Sequence, residues 1–359
     1  MRVIMTTARF WPQLGGVETH CLELGRRLVE AGFELTIAAT DGSGTLPARE
    51  QVHGIDVRRF PAHPAGSDLY FSPKLAQFVA SSRADLVHCQ GFHTFVSPLT
   101  MIAALARDLP YVLTLHTGGH SSRARTLVRP VQAALLGPLV RRARAVIAVS
   151  RWEAAHMSRR LGVPPERLRI IPNGADLPDI GDVPTEPGLI VSPGRIEHYK
   201  GHHRVIDALP FIIRGRPDAH VRLLGDGPDA ERLRERSRRL GLGDRVEIAA
   251  ERDRAALARV LGRAQVVVSL SEYESHGLAV LEALSLGRPT VVAASSALTE
   301  FVEDGLARGV GLDDPPERIA QEIVEAMAQE PSASRPALPS WDECAAQTAT
   351  LYRSLAEAR

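Results

Sequence analysis

The 359-residue sequence contains little lysine, little cysteine and few aromatic residues. Only two of its 43 basic residues are lysines, Lys74 and Lys200, and all the others are arginines. The three cysteines lie far apart and form no Cys-x-x-Cys pair, which argues against a disulfide framework and against a zinc site. We therefore expect a protein of a reducing compartment, the cytoplasm, that binds no metal.

Several features that mark other classes of protein are also missing. No apolar run reaches the roughly 18–20 residues of a membrane-spanning helix, and the chain begins on a strand-like segment, so we expect no signal peptide. The dinucleotide fingerprint Gly-x-Gly-x-x-Gly is absent, which disfavours a nicotinamide-dependent oxidoreductase. No Asp-x-Asp pair follows a predicted strand, so we assign no metal ligand.

Formal charge is nearly balanced overall but unevenly distributed. Residues 1–180 contain 21 basic and 14 acidic residues, whereas residues 181–359 contain 22 and 28. A basic first half suits anionic partners such as phosphates or a membrane surface, although a solvated basic face is the simpler interpretation. Because aromatic residues are not interleaved with these cations, we expect no nucleic-acid partner.

Short β-rich segments alternate with longer helical segments along the whole chain. Val17, Cys21, Leu24 and Leu28 recur every three to four residues, which predicts an amphipathic helix over 17–31. Strands that alternate with helices indicate βαβ units and a parallel sheet. The predicted strands are 3–7, 33–39, 85–90, 111–116 and 145–150 in the first half, and 189–192, 220–224, 246–249, 266–270 and 290–294 in the second.

A segment rich in proline and glycine, 177–188, interrupts this alternation and predicts an interdomain linker. A second connector, 330–339, is rich in proline and serine. We therefore predict an α/β protein with two tandem Rossmann-like domains, 1–178 and 188–335, followed by a last helix at 340–359. Ligands of such sheets bind beyond the carboxyl ends of the strands, so we expect a cleft between two facing domains.

Candidate ligand-binding residues lie at these strand ends. Gly15 and Gly16 open a helix after the first strand, where backbone N–H groups suit a phosphate, although a tight turn explains the pair equally well. His116 ends a strand and suits a sugar hydroxyl or the reacting centre, unless it has no role there. Arg195 and Lys200 follow a strand end in the second half. A planar guanidinium and a point charge can clamp a diphosphate, and the alternative is a pair of surface cations.

A further group follows the fourth predicted strand of the second half. Glu274 lies in the loop, and Glu282 lies on the helix that comes next. Two carboxylates at this edge can accept hydrogen bonds from sugar hydroxyls, Glu274 from the transferred sugar and Glu282 from ribose, although a surface helix also carries glutamates. The first N–H groups of the helix can bind an anion; they belong to Gly277, Leu278 and Ala279.

Six motifs occur in order along the chain: Gly15-Gly16-Val17-Glu18, His116, Ile171-Pro-Asn173-Gly174-Ala-Asp176, Pro193-Gly-Arg195-x4-Lys200-Gly201, Gly225-Asp-Gly-Pro228 and Glu274-x7-Glu282. Together they resemble glycosyltransferase family 4, the retaining enzymes with the GT-B fold. The resemblance covers essentially the whole chain. It implies a nucleotide-sugar donor held mostly by the second domain, no required metal or other cofactor, and a final helix that crosses back onto the first domain.

The resemblance also implies roles for the candidate residues. Arg195 and Lys200 would bind the donor diphosphate, and Gly16 would approach it from the first domain. Glu274 would hold the sugar and Glu282 the ribose.

The sequence departs from the family pattern at two places. His276 stands where the family usually has an aromatic residue beside the sugar. Ser295-Ser296 stands where a Gly-Gly turn usually precedes an acidic residue, here Glu300. The preference for a particular sugar and the local backbone at 295–299 are the properties that these departures affect.

The sequence therefore predicts a retaining glycosyltransferase of the hexosyltransferase type that transfers a sugar from a nucleoside-diphosphate sugar to a small-molecule acceptor, such as a natural product. We expect same-face attack through a short-lived oxocarbenium-like ion pair, with the departing diphosphate stabilised electrostatically. Three alternatives stay open: a GT-B epimerase or pseudo-glycosyltransferase, a non-catalytic sugar-nucleotide binding protein, and a glycolipid-forming transferase at a membrane surface. The sequence specifies neither the nucleotide, the sugar and the acceptor nor the oligomeric state.

The glycolipid alternative depends on the segment 123–144, which is basic and apolar and contains no acidic residue. Anionic headgroups would attract its arginines at about 1 kcal/mol each, and its apolar side chains would enter the interface, giving a weak peripheral membrane contact. The other interpretation is that Leu127, Val131, Leu135 and Leu139, at four-residue spacing, pack on the sheet. Two prolines disfavour a continuous membrane-lying helix, so we prefer a soluble protein.

Overall fold

The computed structural model describes residues 1–13, 15–66, 68–117, 123–251, 253–329 and 337–357, with only the backbone described over 123–130. The described residues form two compact α/β units. Unit 1 contains Met1–Thr117, Leu127–Asn173 and the final segment from Ser340. Unit 2 contains Gly174–Pro339 together with 123–126.

Within the described residues, unit 1 is built on an eight-stranded sheet. Its strands are β1 (Arg2–Thr7), β2 (Glu34–Asp41), β3 (Arg49–Val52), β4 (Ile55–Pro61), β5 (Leu86–Gln90), β6 (Tyr111–Thr114), β7 (Ala145–Ala148) and β8 (Leu168–Ile170), in the spatial order β3-β4-β2-β1-β5-β6-β7-β8. Every pair is parallel except β3 with β4 at the edge. The connecting helices are α1 (Gly16–Glu30), α2 (Pro73–Ser81), α3 (Val96–Leu105), α4 (Arg123–Val140) and α5 (Arg151–Leu161), with a 3-10 turn at Pro165–Arg167.

The described part of unit 2 contains a six-stranded sheet whose pairs are all parallel. Its strands are β9 (Leu189–Pro193), β10 (His220–Leu224), β11 (Val246–Ala249), β12 (Val266–Ser269), β13 (Thr290–Ala293) and β14 (Arg308–Val310). The helices are α6 (His202–Gly215), α7 (Ala230–Arg239), α8 (Arg254–Arg263), α9 (Leu278–Ser285), α10 (Leu298–Glu303) and α11 (Pro316–Met327), with 3-10 turns at His198–Lys200 and Gly243–Arg245. The spatial order is β11-β10-β9-β12-β13-β14, so the chain order reverses between β9 and β12. Ligands of doubly wound sheets bind at such a switch point.

The last helix, α12 (Trp341–Glu357), belongs to unit 1 although it follows unit 2 in the chain. It packs against α1, and its Trp341 and Tyr352 side chains are fully buried. Arg27 of α1 donates to Asp342 at 2.5 Å. Burial of large aromatic side chains supplies the main stabilisation of such a contact.

The α/β class with two Rossmann-like units is confirmed, and the strands that the sequence did not predict are three edge strands and one strand beside an edge. The sequence pattern does not predict β3, β4, β8 and β14. Three of these are edge or near-edge strands of three or four residues that carry charged side chains. In β4 the inward side chains include Arg59, which is buried and hydrogen-bonded to the carbonyls of Trp11 and Pro47, so simple alternation of apolar residues fails.

Helix α4 does not pack on its sheet in the predicted way. Val131 and Leu135 are 58% and 71% exposed, so the prediction that they face the sheet is wrong. Ala133, Gly137 and Val140 are buried instead. Ala133 and Val140 belong to the hydrophobic core of unit 1, and the partly buried Leu139 packs against that core as predicted. The Leu127 side chain lies outside the described residues. None of the described helices is both long and apolar enough to cross a membrane.

Candidate functional site

The loops after β9 and β12 carry most of the candidate residues of unit 2. They leave the carboxyl ends of two adjacent parallel strands at the switch point of the sheet. Lys200 Nζ lies 2.5 Å from Glu274 Oε1, and the two side chains are only 14% and 19% exposed. Ser271 Oγ donates to the same carboxylate oxygen at 2.8 Å. The structure therefore brings the cation predicted for the diphosphate into contact with the carboxylate predicted for the sugar.

The charge state of Lys200 is set by its neighbours. Burial alone would lower the pKa of its ammonium group, but the adjacent Glu274 carboxylate more than offsets this and raises the pKa above the ordinary lysine value. Lys200 is consequently a cation throughout the neutral pH range. A permanent point charge at this position is what binding of a phosphate requires.

Arg195 lies in the same loop and is close enough to Lys200 to affect its pKa. Its Nη1 lies 2.6 Å from Glu197 Oε1, and its Nη2 donates to the Tyr199 hydroxyl at 3.1 Å. The Arg195 side chain is nevertheless 48% exposed. The guanidinium is thus oriented by protein groups and still accessible to a ligand.

The Gly225-Asp-Gly-Pro228 turn packs against this loop through its backbone. Ile196 N donates to Asp226 O at 2.8 Å. A Cβ atom on Gly225 would lie 2.1 Å from Gly194 O, and one on Gly227 would lie 2.2 Å from Ile196 O. Close approach of two backbones explains these glycines. The turn therefore holds the Arg195 loop in place through direct backbone contact.

Helix α9 begins where the sequence predicts an anion site. Gly277 is its N-cap, with φ of +82°, and the Gly277 carbonyl accepts hydrogen bonds from Val280 and Leu281 at 2.9 and 3.1 Å. The N–H groups of Leu278 and Ala279 precede these first intrahelical bonds, where helix N–H groups have no acceptor within the helix. The positive end of α9 therefore lies directly after the Glu274 loop.

The departure from the family's Gly-Gly turn has a structural explanation. Ser296 has φ of +49°, a left-handed conformation that glycine adopts more easily. Its Oγ accepts a hydrogen bond from Glu274 N at 2.8 Å, and Ser295 Oγ donates to Ser271 O at 2.7 Å. The serines thus tie the turn to the Glu274 loop, which offsets the strain of about 1–2 kcal/mol. His276, the other departure, is half-buried in that loop.

Glu282 lies on α9 and is almost completely buried. Arg254 Nη1 donates to its Oε1 at 2.9 Å, and the two side chains are 3% and 13% exposed. Sequence reasoning missed Arg254. The sequence offered only a weak signal for Arg254. Asp253, the N-cap residue of α8, accepts a hydrogen bond from Ala255 N, and an aspartate at this place marks the start of a helix soon after a strand but does not identify the partner of the next residue.

The remaining candidates lie in unit 1. Gly15 is the N-cap of α1 and Gly16 its first residue, with Thr19 N donating to Gly15 O at 2.9 Å. A Cβ atom on Gly16 would meet nothing within 4 Å. Packing within the described residues therefore does not require glycine at that position, and the approach to a diphosphate that the family resemblance implies for Gly16 stays a prediction.

His116 is part of a buried polar network rather than an isolated strand-end residue. Its Nε2 lies 2.7 Å from Gln90 Oε1, and its ring contacts the His20 ring edge-on with centroids 4.5 Å apart. His20 Nδ1 lies 2.8 Å from Asn173 Oδ1. His116 also has φ of +43°. Unusual backbone conformations concentrate at functional sites.

The buried histidines of unit 1 predict a loss of stability in acid. Burial lowers the pKa of His20 from 6.5 to about 4, and that of His88 from 6.5 to about 3. Between those values and 6.5 the unfolded chain binds the proton and the folded one does not. The free energy of unfolding should therefore fall by about 1.4 kcal/mol per pH unit for each histidine as the pH drops below 6.5.

Urea unfolding followed at several pH values between 7 and about 5 checks this slope. We expect His88→Gln to reduce the slope by about one histidine's share, about 1.4 kcal/mol per pH unit. The control is His53→Asn at an exposed position with positive φ, which should keep the wild-type slope. Identical slopes in all three proteins would show that His88 is not titrating as expected.

Known protein families match this chain over nearly its whole length. The sequence profile of Glycosyltransferase Family 4 matches residues 14–178, and that of Glycosyl transferases group 1 matches residues 176–337. The D-inositol 3-phosphate glycosyltransferase of Kribbella flavida is 30% identical over 340 residues, which cover 84% of this chain and 80% of that protein.

Two solved structures share the fold over the full chain. The sucrose-phosphate synthase from Thermosynechococcus elongatus superposes with a TM-score of 0.81 at 22% identity, covering 100% of both chains. Anabaena Alr3699/HepE in complex with UDP-glucose superposes with a TM-score of 0.78 at 21% identity, covering 99% of this chain and 100% of that one. These likenesses show the GT-B fold with its two Rossmann-like domains.

Proposed function

The chain belongs to glycosyltransferase family 4, and we propose that it is a retaining hexosyltransferase that uses a nucleoside-diphosphate sugar and a small-molecule acceptor. The observation that carries this proposal is the contact between Lys200 and Glu274 at the switch point of unit 2. In a nucleoside-diphosphate sugar the anionic diphosphate is bonded directly to the sugar. A cation and a hydroxyl-binding carboxylate side by side match that arrangement.

In this proposal the donor is bound mainly by unit 2. Lys200, Arg195 and the N-terminus of α9 stabilise the diphosphate, because all three supply positive charge or N–H donors. Glu274 accepts hydrogen bonds from sugar hydroxyls and Glu282 from the ribose. Two roles in unit 1 remain predictions: the approach of Gly16 to the diphosphate, which the family resemblance implies, and the binding of a sugar hydroxyl or the reacting centre by His116, which its place at a strand end suggests.

The proposed reaction keeps the anomeric configuration of the donor. The bond between the anomeric carbon and the diphosphate oxygen breaks, and its electron pair stays on the diphosphate. An acceptor hydroxyl attacks the oxocarbenium-like centre from the same face, and its proton passes to the departing phosphate oxygen. Preorganised positive charge at Lys200 and Arg195 stabilises the negative charge that develops in the transition state.

A thermal-shift screen against nucleoside-diphosphate sugars tests donor binding. A ligand selective for the folded state raises its stability by about 2.7 kcal/mol at a hundredfold excess over Kd, so one donor or a small set should raise Tm. UDP-glucose, which the Alr3699/HepE structure contains, is the first to test. A panel without any shift would contradict the proposal.

Incubation with the selected donor alone separates the alternatives. A GT-B epimerase converts the donor without an acceptor, whereas a transferase releases the nucleoside diphosphate rapidly only when an acceptor accepts the sugar. A non-catalytic binding protein gives a thermal shift and no turnover with any acceptor.

A glycolipid-forming transferase is the second candidate, favoured by one observation on α4. Val131 and Leu135 are 58% and 71% exposed, one helical turn apart. Arg142 and Arg144, just beyond the end of the helix, are also exposed. Exposed apolar side chains flanked by cations suit an anionic lipid surface, where a lipid-linked acceptor would be found.

Co-sedimentation with vesicles decides this second candidate. This second candidate predicts that wild-type protein pellets with phosphatidylserine vesicles at low salt and remains in solution with phosphatidylcholine vesicles. Leu135→Asp should abolish pelleting, whereas Leu240→Asp, at a 43% exposed position of unit 2, should not. Wild-type protein that stays in the supernatant with anionic vesicles would eliminate the membrane contact.

A further inference from the structure

The guanidinium of Arg254 is partly buried and donates to two acceptors in unit 2. Nη1 donates to Glu282 Oε1 at 2.9 Å, and Nη2 donates to the Asp176 carbonyl at 3.3 Å. Arg254 is the first residue of α8, which packs against α9, the helix of Glu282. Two acceptors on different segments fix the plane of the guanidinium, which a single partner would leave free to rotate.

The pairing also governs the orientation of the Glu282 carboxylate. Glu282 is 3% exposed, and a buried carboxylate is costly unless a counter-charge lies beside it. Arg254 occupies Oε1. A carboxylate offers about four lone-pair sites on its two oxygens, so one such group can accept hydrogen bonds from a ligand diol as well as from protein donors.

We propose that Arg254 is a positioning residue for the donor nucleoside, which orients the Glu282 carboxylate to accept the 2′- and 3′-hydroxyls of the ribose. The inference rests on the proposed function, in which Glu282 binds ribose. Arg254 acts through Glu282 and through its bond to Asp176, and it does not contact the reacting atoms. Its effect is expected on recognition of the ribose rather than on chemistry at the sugar.

Binding of a matched pair of nucleotides measures this effect. The full chain is titrated calorimetrically with the nucleoside diphosphate that binds it best and with the 2′,3′-dideoxy form of that nucleotide. A hydrogen bond to a charged group gives wild type a preference for the ribose form of about 10- to 100-fold. In Arg254→Met the ribose form should bind more weakly and the dideoxy form nearly as before. The ratio of the two dissociation constants, dideoxy form over ribose form, should therefore approach one.

Two further variants separate positioning from simple structural support. Arg254→Lys keeps the charge but loses the planar fork, so its ratio should be intermediate. Arg259→Met, at a 56% exposed position on the same helix, should keep the wild-type ratio. If the ion pair were purely structural, Arg254→Met would lower the free energy of unfolding, but the folded variant would keep the wild-type ratio of dissociation constants.

The outcomes distinguish this inference from the proposed function. Wild-type protein that binds no nucleoside diphosphate contradicts the proposed function and the inference together. Wild-type protein that binds nucleotide with no preference for ribose overturns the ribose role of Glu282 and the role of Arg254 with it, but not the transferase proposal. An Arg254→Met protein that keeps the preference overturns the role of Arg254 alone. If Arg254→Met does not fold, the ratio in Arg254→Lys decides: a wild-type ratio overturns the role and a reduced ratio supports it.

Discussion

Replacement of Lys200 by alanine should lower kcat/KM by about 10²- to 10³-fold, equivalent to about 3–4 kcal/mol of transition-state stabilisation. The ammonium group is mostly buried beside Glu274, where a charge interacts more strongly than it does in water. Leaving-group charge grows in the transition state, so the loss falls on turnover as well as on binding. Initial rates at saturating and at limiting concentrations of the donor identified by thermal shift measure the loss in kcat and the loss in kcat/KM.

The chain provides a matched control for this substitution. Lys74 is its only other lysine and is exposed in α2 of unit 1. Lys74→Ala should leave kcat/KM close to wild type. Turnover of Lys200→Ala near the wild-type value, in a protein with wild-type circular dichroism, would remove Lys200 from the diphosphate site.

Replacement of Gly201 by alanine should destabilise unit 2 by at least about 2 kcal/mol. Gly201 has φ of +73°, and a Cβ atom there would lie 2.0 Å from the Leu270 carbonyl oxygen. Because that oxygen belongs to the backbone at the end of β12, the clash cannot be relieved by rotating a side chain. The shift would also displace the neighbouring Lys200. Urea unfolding reports the stability, and the nucleotide thermal shift reports the site.

Gly215→Ala is the control, since Gly215 is the last residue of α6 and a Cβ atom there would meet nothing within 4 Å. It should be neutral or should stabilise by about 0.4–1 kcal/mol, because alanine restricts the unfolded chain. Equal stability of Gly201→Ala and wild type would mean that the two loops do not approach each other as described.

The repeating strands and helices of both units could be predicted because their signal is local. Val266–Ser269 and Thr290–Ala293, for example, are short buried runs in which three of the four residues are β-branched, and such runs are typical of parallel sheets. The side of α4 that packs could not be predicted by the same logic. Four-residue spacing of Val131 and Leu135 marks an apolar face, but whether a sheet covers that face depends on tertiary packing.

The candidate site was predictable where the residues proposed to bind a ligand follow strand ends. Lys200 and Glu274 are 74 positions apart in sequence and adjacent in space, since β9 and β12 are neighbours in a doubly wound sheet. Arg254 and Ser296 could not be found this way. Arg254 is identified by its contacts with Glu282 and the Asp176 carbonyl, and Ser296 by its contact with the Glu274 amide. No periodicity or spacing in the sequence encodes these contacts.

The anomeric configuration of the product tests the proposed chemistry most directly. ¹H NMR can read the configuration at the anomeric carbon of the glycoside formed from the selected donor. When water replaces the acceptor, the same measurement reads the first-released free sugar before it mutarotates. We predict that the configuration of the donor is retained and that turnover continues with excess EDTA. An inverted product, or turnover abolished by the chelator, would contradict a retaining transfer stabilised by Lys200 and Arg195.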